Sequence, residues 1–134
     1  RDISFETSNG VDRWDGGTLD HYLEGVFRRA GTLTMAASMR QQSGAIQPGD
    51  VLVIGGSPGH AVLVLSVVTN SATGERLLML GQGFMPAQQF HVLRTPETLN
   101  TQPSPWFREA DLDSPGGLAN LAWSPFRRSD ARTW

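Results

Sequence analysis

Hydrophobic positions change period along this chain, and the changes mark out its elements. Ile3-Ser4-Phe5-Glu6-Thr7 alternates apolar and polar residues, which predicts a short half-exposed strand, and Ser8-Asn9-Gly10 follows with turn chemistry. Leu19, Tyr22, Leu23, Val26, Phe27 and Ala30 then recur every three or four positions, forming one apolar stripe along a helix. Thr18 suits the N-cap of that helix, Asp20 the positive end of its dipole, and Arg28 and Arg29 the negative end. Gly31 stops it. A second, shorter helix is expected over Thr34 to Gln42, with Met35, Ala36 and Met39 turned inward.

Beyond Gln47-Pro48-Gly49-Asp50, a turn, the pattern becomes that of strands. Val51 to Ile54 is the first, and Gly55-Gly56-Ser57-Pro58-Gly59 is a tight loop after it. His60 to Val68 is almost wholly aliphatic and β-branched, which predicts a central strand buried on both faces. Asn70 to Glu75 reads as a hairpin loop, Arg76 to Gln82 as an interior strand pairing back, and Gln89 to Leu93 as a shorter one. After Arg94, four prolines (Pro96, Pro103, Pro105 and Pro115) punctuate a loop-rich region. Leu118 to Trp123 is expected to add a strand, and Arg127 to Arg132 reads as a polar tail. The pattern predicts an α+β fold, an N-terminal helix packed on a mostly antiparallel sheet.

Length and composition narrow the function classes. The 134 residues suit one domain, residues 1–134, and a chain opening at Arg1 is expected to be a fragment or processed part of a longer one. A net charge of −2 gives no electrostatic footprint for nucleic acid, and no apolar run reaches the roughly 20 residues of a transmembrane helix. The absence of cysteine removes disulfides, thiolate metal sites and thiol nucleophiles from these residues. His21, His60 and His91 lack ligand-like spacing, and the glycine-rich loop leads into a strand instead of a helix. No metal or cofactor is therefore expected.

Candidate chemistry centres on His60 and Gln82. His60 opens a buried strand beside the glycine-rich loop, where it suits a general base or an anchoring group. A structural histidine tying down the loop is the alternative. Gln82 ends the next strand on the face of Leu78 and Leu80, where its amide oxygen could orient an imidazole or simply satisfy the strand end. Thr18 is the hydroxyl at the helix N-terminus, although capping alone explains it. Ser57, Gly59, Gln88 and Trp14 are the binding candidates. Gln88 offers an amide on a rigid turn, while turn formation accounts equally for Ser57. Trp14, Trp106, Trp123 and Trp134 are dispersed as core and rim packing residues are.

Ser4-Phe5, Asn9-Gly10, Trp14, Ala30-Gly31-Thr32, Gly49-Asp50-Val51, Gly56-Ser57-Pro58-Gly59-His60-Ala61-Val62, Met85-Pro86-Ala87-Gln88, His91-Val92-Leu93 and Ser104-Pro105-Trp106 resemble the bacterial family called domain of unknown function 4846. The resemblance runs nearly end to end. A more distant one joins Asp15-Gly16-Gly17, the helix from Tyr22 to Gly31, Gln47-Pro48-Gly49-Asp50-Val51-Leu52 and Gly59-His60-Ala61-Val62 to the NlpC-type papain-like cysteine peptidases. That similarity implies a papain-like fold, an envelope location, and a cell-wall peptide or glycan as partner. It also implies His60 as base and Gln82 as orienter. The cysteine nucleophile is missing: its expected place reads Asp15-Gly16-Gly17-Thr18, and a threonine hydroxyl does not ionise near neutral pH as a thiol can. The expectation is a degenerate or non-thiol hydrolase-fold domain, with a non-catalytic binding module as the alternative.

Overall fold

A computed structural model describes residues 4–7, 10–13, 31–83, 89–97, 102–119 and 123–134. The chain forms two compact units, residues 1–31 and 32–134. In the first, β1 (Ser4–Thr7) and β2 (Gly10–Arg13) form an antiparallel hairpin in which Thr7 pairs with Gly10. The expected strand is there, and it has a partner that the pattern did not announce. The helix expected from Thr18 to Ala30 lies outside the described residues.

The second unit is built on a seven-stranded sheet in which every pairing is antiparallel. Its elements are α1 (Thr32–Ser38), β3 (Arg40–Gln41), β4 (Val51–Ile54), β5 (His60–Thr69), β6 (Arg76–Gln82), β7 (His91–Val92), β8 (Trp106–Arg108) and β9 (Ala131–Thr133). The strands run in the order β3-β9-β4-β5-β6-β7, with β8 also on β6. Among the described residues the architecture is α+β, one helix with an antiparallel sheet.

Two expectations are corrected. The short helix begins and ends earlier than Thr34 to Gln42, because Arg40 and Gln41 are taken into the sheet by pairing with Thr133 and Arg132. Met35, Ala36 and Met39 are only half-buried. The polar tail is instead a 3-10 turn (Arg128–Asp130) and then β9, which lies between β3 and β4 with Ala131 fully buried. Leu118 forms a bridge to Phe126, and residues 120–122 of the strand expected from Leu118 to Trp123 lie outside the described residues.

β5 is buried mainly on one face. His60, Val62 and Val64 are buried, and the residues between them are half-buried. The pairing with β6 slips between Val64 and Ser66, so Leu65 is an extra residue, and the inward parity changes. Val67, opposite Leu78, then packs against the core. Leu52, Val62, Val64, Leu78 and Leu80 line the sheet side of that core, and Phe107, Leu112, Leu118 and Phe126 close it from the C-terminal third. Asn70 turns the hairpin: its Oδ1 accepts from the Ala72 and Thr73 N–H groups at 2.9 and 3.3 Å, and Gly74 takes φ of 72°.

Candidate functional site

Strand alternation puts His60 and Gln82 together. His60 lies in the inward row of β5 with Val62 and Val64, and Gln82 in the inward row of β6 with Leu78 and Leu80. Leu63 pairs with Gly81 and Val64 with Leu80, so both polar residues fall at the same end of the paired strands, on the core face. They are 5% and 7% exposed, and the Gln82 side chain lies close enough to act on the imidazole. Burial pushes the His60 pKa below its usual 6.5, and the Gln82 contact opposes that shift without cancelling it. The ring is therefore neutral at pH 7.

Aromatic residues from the C-terminal segment surround the pair. Trp123 stacks on His60 with ring centroids 4.8 Å apart and planes 4° from parallel, and Phe126 follows at 6.0 Å. Thr32, Pro58, Gly59, His60, Ala61, Gly83 and Trp123 line a cleft of about 460 Å³. The loop that delivers His60 is tight. A Cβ on Gly59 would come within 2.8 Å of the Gly56 carbonyl oxygen and of the Thr32 Cβ, so only glycine lets the loop close against the start of α1. Thr32 Oγ1 donates to the Gly56 carbonyl at 3.3 Å and fastens that contact.

Of the residues singled out in the sequence, His60 and Gln82 meet and Gly59 lines the cleft. Ser57 is exposed in the same loop, outside the lining. Thr18, Gln88 and Trp14 lie outside the described residues. Thr32 and Trp123 were missed as site residues, and no local pattern marks either, because tertiary packing alone brings them to His60. No group of three or more histidine and carboxylate side chains suited to a metal occurs among the described residues. No described helix is long and apolar enough to cross a membrane.

A second buried polar centre, also missed, lies at the opposite end of β5 and β6. Glu109, 7% exposed, accepts from Arg76 Nε at 2.7 Å, Arg128 Nη1 at 2.8 Å and the Ile46 N–H at 3.3 Å. Burial alone would raise the pKa of Glu109. The bonds from Arg128, Arg76 and Ile46 outweigh it and hold the pKa below 4.5. Arg128 also bridges Asp113.

Comparison with known proteins gives one family match: residues 4–130 fit the family described as Domain of unknown function (4846). No curated protein matches the chain. No solved structure matches it either.

Proposed function

The chain belongs to that family, and from this premise we propose a papain-like, NlpC-type hydrolase-fold domain of the bacterial envelope that lacks the cysteine nucleophile. In this reading His60 and Gln82 remain as base and orienter for amide chemistry on a cell-wall peptide. The observation that carries it is the burial of these two polar residues side by side on the core face, at the same end of adjacent strands. The Gln82 amide beside the ring would orient it, as the third member of a nucleophile–base–orienter set does. A ring held neutral by burial accepts a proton at pH 7. With no cysteine among these 134 residues, the attacking group they leave is a water or a hydroxyl. His60 takes its proton as the oxygen adds to the carbonyl carbon, and returns that proton to the departing amine as the C–N bond breaks.

The test is release of new amino groups from a cell-wall peptide preparation. A His60→Ala variant with an unchanged circular dichroism spectrum should lose about 10²–10⁴-fold of the rate. Full activity in that folded variant would sink the catalytic reading.

One observation favours a second reading, a non-catalytic binding module. Trp123 covers a face of the His60 ring, so the ring offers an edge more readily than a face. Retention on purified peptidoglycan by a protein that releases no amino groups would establish this role in place of hydrolysis.

A further inference from the structure

Gln82 takes part in two places at once. Besides meeting His60, it lines a second cavity of about 220 Å³ on the core side of β6 and β7. The floor of that cavity is apolar and buried: Leu80, Phe107, Leu118 and Phe126. His91 and Arg94, both exposed, are polar groups at its rim.

Arg94 differs from its neighbours. Arg76, Arg108 and Arg128 are each paired with a carboxylate, and Arg40, Arg127 and Arg132 each donate to a backbone carbonyl. Arg94 has no ion pair or hydrogen bond with any described residue. An uncommitted guanidinium above an apolar floor, next to a buried amide, is complementary to a molecule with three parts: a carboxylate, an aliphatic group and an amide. The volume is below the roughly 300–1,000 Å³ of sites for drug-sized ligands, so it suits a group the size of one residue.

We propose that this cavity holds the C-terminal residue of a peptide. The aliphatic side chain rests on Leu80, Phe107, Leu118 and Phe126. The α-carboxylate meets Arg94, and the last peptide group receives a hydrogen bond from the Gln82 amide nitrogen. The need for an amide separates such a peptide from a fatty acid, which offers Gln82 nothing. The inference rests on the proposed function only in that Gln82 would then set this last amide beside His60, making it the bond attacked. It names the substrate class as peptides with a free, aliphatic C-terminus.

Calorimetry with racemic N-acetylleucine, its carboxamide and hexanoate tests this. N-acetylleucine should bind at least about tenfold more tightly than either of the others, since a charge-assisted bond or an amide contact is lost in each. Arg94→Gln, a change at an exposed position, should weaken N-acetylleucine by at least about tenfold and erase its advantage over the carboxamide. Equal binding of acid and carboxamide, hexanoate as tight as N-acetylleucine, an unaffected Arg94→Gln variant, or no binding at all would each overturn the proposal. The two readings fail separately. Binding as expected without any hydrolysis removes the catalytic reading and leaves this one, whereas hydrolysis of the cell-wall preparation without N-acetylleucine binding removes this one alone.

Discussion

At the Thr69–Arg76 end of the β5–β6 hairpin, a buried carboxylate is held by two arginines and a backbone N–H. At the other end, a neutral imidazole meets an amide beneath an indole. Both centres are buried and polar, and both lie beside hollows in the surface. The hollow beside Glu109 is the larger, about 560 Å³, yet its charges satisfy one another: Arg76 and Arg128 bind Glu109, Arg128 binds Asp113, and Arg108 binds Glu75. A group whose lone pairs and protons are already spent has little left for a ligand. The His60 end has a neutral imidazole and an amide in place of ion pairs and presents apolar walls, which is the composition of a binding site. Charge pairing distinguishes the two ends better than volume does.

The largest effect should come from the charged end. Glu109→Ala strands two arginines and an N–H and should lower unfolding free energy by about 3–5 kcal/mol. Urea titration measures it, and a loss below about 1 kcal/mol would show that the charged end is not a fastening. A smaller effect is expected at the imidazole end. Gln82→Leu removes the polar neighbour of a buried ring and should cost about 1–3 kcal/mol, whereas His60→Phe combined with Gln82→Leu should lie closer to wild type, since both side chains become apolar. A double variant much weaker than the single one would mean that packing, not hydrogen bonding, sets the cost.

Acid should separate the ends in pH, with the smallest change at the imidazole. The folded pKa of His60 lies below 6.5, so as pH falls past 6.5 the unfolded chain takes up a proton that the buried ring refuses, and stability declines. Glu109 stabilises above its unfolded value near 4.5, and that contribution is lost as pH falls through its lower folded value. Urea midpoints followed from pH 7.5 down to 3.5 should show two limbs. His60→Phe should flatten only the upper limb, and a His60→Phe curve identical to wild type there would remove the buried-imidazole account.

The imidazole end was far more legible in the sequence than the charged one. A histidine beginning an aliphatic strand and a glutamine ending the next are local anomalies, and strand periodicity is enough to put them on one face. Glu109 sits in a polar stretch beside Arg108 and Asp111, and its partners come from Ile46, Arg76 and Arg128, so nothing nearby announces its burial. β9 was illegible for a related reason: only Ala131 among its residues is apolar, and its place in the sheet comes from pairing with β3 and β4. Strands β4, β5 and β6 were readable because their side chains bury themselves wherever they pair. The bulge at Leu65 left no trace, since Leu63, Val64 and Leu65 are apolar in either parity.

The position of β9 also governs when this unit can be finished. Leu52 waits for Ala131, and Arg40 for Thr133, so strands made early have a pairing edge open until nearly the last residues of the unit have left the ribosome. The β5–β6 hairpin, closed locally, can form long before that. Until β9 arrives, β4 is an unprotected edge able to recruit another chain. Growing chains stalled before residue 131 would then be the aggregation-prone species, and expression yield would depend on how quickly translation passes that point.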